Sequence, residues 1–471
     1  ATSTVLSVDW LSTTMTSSGM TVWLAILSRH CFRWLSSLKA GITIDNVNAF
    51  FINLSNHTMP KKKTKSPKQK NVPVHKKIVH HTKRIGRKTA QITLSPFVLL
   101  KRWYKKRKLG QKITVWLIVI VTIITSGAYG IAQWYINKHK NERLEIGASF
   151  IANYSRYLGI EPKDTLQAMI DDLGIRRFRL VSYWDKGEPE QGRYDFSDLD
   201  WQFDMIEKSK GSVTLSIGLR QPRWPECHKP VWARYQDEQQ WQDALMKYIQ
   251  KTVEHYKDRP SLVSYQLENE YLLEVFGDCA NHDRERLIKE FDLVKKLDPS
   301  KPVIISRSNN AVPSWPVGKP RADIVGAAVY KRVWDRTLTK RYFEYPLPSW
   351  FYAFLAGGTE LTTGRNTFIH ELQAEPWPPK GVKEVSIAEQ DKSFNAKLLP
   401  KRIDYAVATG MRTIDLWGVE WWYWRKVYFN DPSLWNAGKA TLQKYNRQNE
   451  PCSQAYVQTT NAVVKSPCIE K

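Results

Sequence analysis

The sequence predicts an α/β fold: a (β/α)8 barrel over residues 145–440, preceded by a single transmembrane helix and a basic, largely disordered N-terminal segment. Three observations carry this. Eight short apolar or β-branched runs alternate with amphipathic helical stretches after Glu145, the order that closes a parallel barrel. One uncharged 24-residue run, Ile113–Ile136, precedes them. Between Met59 and Lys112 stand 19 Lys or Arg and no Asp or Glu.

That last segment explains the charge. The 471-residue chain carries a formal +25, yet residues 113–471 contribute only +5 of it. Residues 1–58 have no helix-length periodicity, and Met59-Pro60-Lys61 reads as a natural start, so 1–58 is expected to be upstream translated sequence. Residues 59–112 are rich in Lys, Pro, Gln and Thr, a composition that cannot bury enough apolar surface to order itself. No nucleic-acid-binding motif accompanies the charge, so no specific nucleic acid is expected. A cytoplasmic topology signal that touches anionic lipid is the simpler reading.

Ile113–Ile136 reaches roughly 36 Å as a helix, enough to cross a bilayer core of about 30 Å. Trp116 and, at the other end, Trp134 and Tyr135 are placed for the two interfaces. The basic flank lies N-terminal and 137–144 is a mixed linker. The positive-inside bias therefore sets the N-terminus in the cytoplasm and residues 137–471 outside, on a single-pass cell-membrane protein. The lipid bilayer is the first expected partner; oligomeric state is not legible.

The expected strands are Ile146–Phe150, Arg177–Val181, Ser212–Ile217, Val263–Leu267, Pro302–Ser306, Asp323–Val329, Thr367–Ile369 and Thr413–Trp417. Helices are expected at Lys163–Leu173, Leu199–Lys208, Gln236–Tyr256, Asp283–Lys296 and Ser386–Ala408. No Gly-rich phosphate loop follows the first strand, which argues against a dinucleotide fold, and no cofactor is expected. No His/Cys/Asp spacing matches a metal site. Residues 441–471 form a C-terminal extension.

Catalytic groups of such barrels sit at the C-terminal strand ends. Strand four ends in Tyr265-Gln266-Leu267-Glu268-Asn269-Glu270-Tyr271, and strand seven in Phe368-Ile369-His370-Glu371-Leu372-Gln373. Two carboxylates across a barrel mouth suit glycoside hydrolysis, where one protonates the leaving oxygen and the other attacks the anomeric carbon or activates water. Glu268 is two residues before Glu270, on the same strand face but deeper, and is expected in a structural ion pair. Glu375 lies past strand seven, in a loop. His370 should point opposite to Glu371, as a core histidine.

Asn269-Glu270 and Glu371 resemble the acid/base and nucleophile segments of the clan A glycoside hydrolases, which include cellulase-like and β-galactosidase-like barrels. Arg179-Leu180 and Glu188-Pro189-Glu190-Gln191-Gly192-Arg193-Tyr194-Asp195-Phe196-Ser197 are similar to that clan's strand-two arginine and the element after it. Tyr330 sits where the clan has a tyrosine that hydrogen-bonds the nucleophile, and Trp417 resembles its floor tryptophan. The resemblance covers roughly residues 145–440 and implies a retaining mechanism, with Asn269 on the sugar 2-hydroxyl and Arg179 and Tyr330 on Glu371. A carbohydrate is the implied substrate, with cleavage at the O-glycosidic bonds, of β configuration, of an extracellular oligo- or polysaccharide. Two other readings use the same barrel: a glycan-binding protein that has lost catalysis, and a transglycosylase.

Further residues are expected along the cleft. Arg220, Arg223, Trp224, Glu226 and His228 follow strand three, Trp377 follows strand seven, and Trp421, Trp422 and Trp424 follow strand eight, where packing under the C-terminal segment is the equal alternative for these last three. Cys227 and Cys279 sit in loops after adjacent strands about 4.8 Å apart, within disulfide reach. Cys452 and Cys468 would close a second, C-terminal bridge.

Overall fold

The computed structural model describes residues 103–448, apart from 272, 274–276, 280, 309–317 and 338, together with a terminal strand pair, Tyr456–Thr459 and Ala462–Lys465. The pairing proposed for Cys452 and Cys468 lies outside the described residues.

Eight parallel strands close into a barrel. They are β1 (Glu145–Ser149), β2 (Arg177–Val181), β3 (Ser212–Ile217), β4 (Leu262–Leu267), β5 (Val303–Arg307), β6 (Ile324–Val329), β7 (Thr367–Gln373) and β8 (Thr413–Trp417). Each pairs with its sequence neighbour, and β8 returns to β1 with Glu145 opposite Thr413. The strand runs are buried nearly throughout, as parallel strands covered on both faces must be. Seven of the eight expected strands are matched to within a residue or two at each end. The exception is β7, which runs four residues beyond Ile369.

The helices of seven residues or more are α1 (Leu109–His139), α2 (Ala152–Leu158), α3 (Pro162–Asp171), α4 (Ser197–Lys208), α5 (Glu238–Tyr256), α6 (Arg284–Leu297), α7 (Ser349–Thr363), α8 (Leu398–Val407), α9 (Val419–Tyr428) and α10 (Ser433–Gln448). Local chemistry sets several starts. Asp237 and Gln240 form a reciprocal capping box at α5, which satisfies two backbone donors that a helix start leaves open. Pro162 occupies the first position of α3. The expected helix Ser386–Ala408 is two pieces, Ile387–Asp391 and α8. Asn395 breaks it, accepting hydrogen bonds from the backbone of Lys397 and Leu398. Sequence periodicity missed α7, because its residues are apolar almost all round, and also the small hairpin Arg332–Trp334/Tyr342–Glu344.

The first unit, which ends at Gly127, contributes the start of α1. This helix is long and apolar enough to cross a membrane. The barrel unit begins at Ala128, and within it the end of α1 packs on the barrel. Gly357 of α7 faces Ile131 and Tyr135, Gly410 faces Ile136, and the His139 ring is held between Glu142 and Glu360. Tyr135, expected at a membrane interface, is instead buried, and its hydroxyl donates to the carbonyl of Thr367 at 3.4 Å.

Candidate active site

Strand β2 delivers Arg179 into the barrel, where it is fully buried. Its Nε donates to Ser149 Oγ at 2.9 Å, Nη1 to Gln266 Oε1 at 3.0 Å and Nη2 to Glu371 Oε1 at 2.7 Å. Tyr330, just past β6, donates its hydroxyl to the other oxygen of Glu371 at 2.7 Å. Burial alone would lift the Glu371 carboxyl, but the Arg179 guanidinium and the Tyr330 hydroxyl reverse this and hold it below the usual range.

Glu270 faces it from the turn just past β4. One oxygen of each carboxylate, and a ring nitrogen of His370, lie within 4.8 Å of one another. Burial, then the negative charge of Glu371, drives the Glu270 carboxyl well above its ordinary value. The two carboxyls are therefore pushed in opposite directions. Glu268 and Glu270 both have left-handed backbone, φ 54° and 44°, a conformation that non-glycine residues hold only where surroundings enforce it.

That turn separates the two glutamates. Glu268 makes the expected structural ion pair. It points back under the β3 loop, accepts from the backbone N–H of Leu219 and Arg220 at 2.8 and 2.7 Å, and is ion-paired with Arg286 of α6 at 2.7 Å. Glu375 is paired with Arg223 through both oxygens.

His370 also departs from strand alternation. In the β6–β7 register Ala327 is opposite Ile369 and Ala328 opposite Glu371, so His370 is the extra residue of a bulge. It does not point away from Glu371: its Nε2 lies 3.6 Å from Glu371 Oε1. Burial lowers its pKa to about 4, so the ring is neutral near pH 7. Glu270, His370 and Glu371 are residue types that bind metals, a grouping across two strands that spacing along the chain could not reveal. Arg179 competes for the same Glu371 oxygen with a fixed positive charge.

Asn269 Oδ1 accepts from Gln266 Nε2 at 3.2 Å, and its Nδ2 donates to Glu226 Oε2 at 3.1 Å. Glu371, Arg179, Gln266, Asn269 and Glu226 thus form one buried hydrogen-bonded chain. Burial pushes the Glu226 carboxyl up to about 8, against the opposing pull of Arg220, whose Nε is 3.7 Å away. Sequence reasoning gave Gln266 no role, although it stands near the end of β4, three and four residues before Asn269 and Glu270.

The loop after β3 holds Glu226 in place. Cys227 is disulfide-bonded to Cys279 with the Cα atoms 5.3 Å apart, and the Asp278 N–H donates to the Pro225 carbonyl at 2.9 Å. Arg220 is buried beside this turn, whereas Trp224 stands 69% exposed on the rim. Trp417 is buried with the Arg179 and Arg223 guanidinium groups 5.3 and 4.3 Å from its ring centre. Trp377 packs edge-on against Tyr330. Trp421 does not line the cleft. The left-handed turn at Gly418 starts α9 directly after β8, which turns Trp421 inward onto Phe394, where its Nε1 donates to Gln390 at 2.9 Å. Trp422 and Trp424 are likewise buried.

Residues 212–346 match the family model described as glycosyl hydrolases family 2, TIM barrel domain. That stretch contains Glu270 and Tyr330 and ends before Glu371. The chain is 30% identical over 105 residues to beta-galactosidase BbgII of Bifidobacterium bifidum, covering 19% of this chain and 15% of that protein. It is 26% identical over 157 residues to beta-galactosidase 13 of Arabidopsis thaliana, covering 29% and 18%. The chain thus spans less than a fifth of these relatives. Among solved structures, a beta-galactosidase from the Antarctic haloarchaeon Halorubrum lacusprofundi aligns at 13% identity and TM-score 0.42, over 64% of this chain and 58% of that one. Xylanase 10B from Thermotoga maritima aligns at 17% and 0.43, over 65% and 97%.

Proposed function

We propose that this chain is a membrane-anchored retaining glycosidase that cleaves β-glycosidic bonds outside the cell, with Glu270 as acid/base and Glu371 as nucleophile. The observation that carries the reading is a pair of facing carboxyls with oxygens within 4.8 Å, whose pKa values their surroundings push in opposite directions. Double displacement asks for carboxyl groups about 5–5.5 Å apart, whereas inversion needs room for a water and roughly 6.5–9.5 Å.

The mechanism follows from the hydrogen bonds. Glu371, ionised and pinned at both oxygens, attacks the anomeric carbon while protonated Glu270 gives its proton to the leaving oxygen. A glycosyl–Glu371 ester forms as the aglycone departs. Glu270, now a carboxylate, takes a proton from water, which hydrolyses the ester and regenerates both groups. Asn269, its amide fixed at both ends, keeps a donor for the sugar 2-hydroxyl, a contact that strengthens in the transition state. The family match over β3–β6 and the two β-galactosidase relatives support the reaction class. The apolar helix α1 supports the anchor.

The test is turnover of a panel of aryl β-glycosides by the full chain, with the first-released anomer followed by NMR. Retention at early time is expected. An inverted first product would overturn the mechanism, and no turnover across the panel would overturn the activity.

A further inference from the structure

The chain enters the barrel unit at its mouth end. In a (β/α)8 barrel each helix after a strand descends from the mouth to the base, so α7, between β6 and β7, starts at the mouth with Ser349 and ends near the base with Thr363. The barrel-packed part of α1 runs alongside it in the same direction: Tyr129 lies edge-on to Trp350, Ile131 and Tyr135 meet Gly357, and His139 meets Glu360. Ala128, where the barrel unit begins, is therefore level with the start of α7, on the side to which the carboxylates open.

Helix α7 is unusual for an outer barrel helix. From Tyr345 to Thr359 the chain carries no charge. Trp350, Phe351, Phe354 and Leu355 remain partly exposed, and Leu361 is 57% exposed. Outer helices normally turn a polar face to water, as α6 does with Arg284, Glu285, Lys289, Lys296 and their neighbours. The length of the anchor supplies a second argument. Within the barrel unit the first buried residue of α1 is Ala132, and the apolar run that precedes this unit, Ile113–Gly127, is about 22 Å of helix. That is about 8 Å short of a bilayer core.

We infer that the mouth-end flank of the barrel, Tyr129 with Trp350, Phe351 and Phe354, sinks into the outer face of the bilayer, so the active site opens at the membrane surface and its substrate is a membrane-proximal or lipid-linked glycan. The flank supplies the missing length of apolar contact, and its aromatic residues are the types that settle at a lipid–water interface. This rests on the glycosidase and anchor readings above, but its first test is independent of activity.

Benzoylphenylalanine placed at Phe354, and separately at Leu361 about 10 Å further from the mouth on the same face, is irradiated in the full chain in phosphatidylethanolamine–phosphatidylglycerol vesicles. Lipid adducts at Phe354 and few at Leu361 are expected. No lipid adduct, more at Leu361, or cross-links to a second copy of the chain would each overturn the docking. The second test compares a bilayer-inserted β-glycolipid with its free headgroup glycan at equal bulk concentration. Vesicle-bound chain should favour the glycolipid by about tenfold or more through surface concentration. The double variant Trp350→Ser/Phe354→Ser should bring that ratio toward one while keeping the rate on free glycan. A lost rate on free glycan would report misfolding, and the photo-cross-links then decide. If neither glycan is cleaved by the wild type, the glycosidase reading fails while the docking stands or falls on the cross-links.

Discussion

Asn269 donates its amide hydrogen to Glu226 across 3.1 Å, and Gln266 and Arg179 extend that contact to Glu371. Glu226 is thereby tied to the carboxylate that faces Glu270 without touching it. With its carboxyl pushed up to about 8, Glu226 is mostly neutral at pH 7. Glu226→Gln should therefore retain most turnover, whereas Glu226→Ala frees the Asn269 amide and should lower kcat about tenfold or more, a loss in keeping with misplacing a transition-state contact. Equal kcat for Glu226→Ala and wild type would remove Glu226 from the site.

Glu371 is 3% exposed and holds Arg179, which is fully buried. A solvent-facing carboxylate at a barrel mouth would contribute little to stability, but Glu371 is buried against a buried charge. Glu371→Ala should abolish turnover and also cost about 3–5 kcal/mol, because the Arg179 charge is left buried without its partner. Glu371→Gln should lose turnover with a smaller stability change. Azide should rescue the alanine variant and give an inverted glycosyl azide. Substantial activity in Glu371→Gln, with loss in Glu375→Gln, would move the nucleophile to Glu375.

The pH–rate profile should be bell-shaped. Glu371, held below the usual range, sets the acidic limb, and Glu270, held well above it, sets the basic limb. Stability follows the opposite rule at Glu226. Its folded pKa is raised from 4.5 to about 8, so the folded state keeps a proton that the unfolded chain has lost. Its contribution is full below pH 4.5 and falls as pH rises to about 8. Denaturant melts of Glu226→Gln should show a shallower loss between pH 5 and about 8 than wild type; parallel curves would refute the assignment.

The Cys227–Cys279 bridge closes a loop with 52-residue sequence separation. By loop entropy it contributes at most about 4 kcal/mol. Its nearer effect is on Glu226, the adjacent residue, so Cys227→Ala/Cys279→Ala should lower kcat more than it lowers the melting temperature. Mass spectrometry of a non-reduced digest checks the bridge, and unchanged kcat in the double variant would confine it to stability.

Trp421 and Trp417 should separate cleanly. Trp421→Ala opens a cavity around Phe394 and Gln390 and should cost about 3–5 kcal/mol, leaving kcat of the folded fraction unchanged. Trp417→Ala removes the ring against which Arg179 and Arg223 lie, so it should lower kcat in protein that still folds. The reverse pattern would put Trp421 at the cleft.

The sequence by itself determined the barrel, because parallel strands buried on both faces must read as short apolar runs, and seven of eight could be bounded from that alone. It also brought forward Glu270, Glu371, Asn269 and Tyr330, which stand at or beside strand ends, where residue order and spatial position coincide, and Arg179, in the middle of β2, which came with the resemblance. What it left open depends on local backbone geometry that composition does not encode. Positive φ at Glu268 and Glu270 sends two glutamates of one strand end to different places, and a bulge at His370 turns a residue expected to face away toward Glu371. The turn at Gly418 buries Trp421. The chain linking Glu226 to Glu371, and the pairing of α1 with α7, join residues far apart in sequence. Only closure of the barrel brings them within a hydrogen bond or a ring contact of one another.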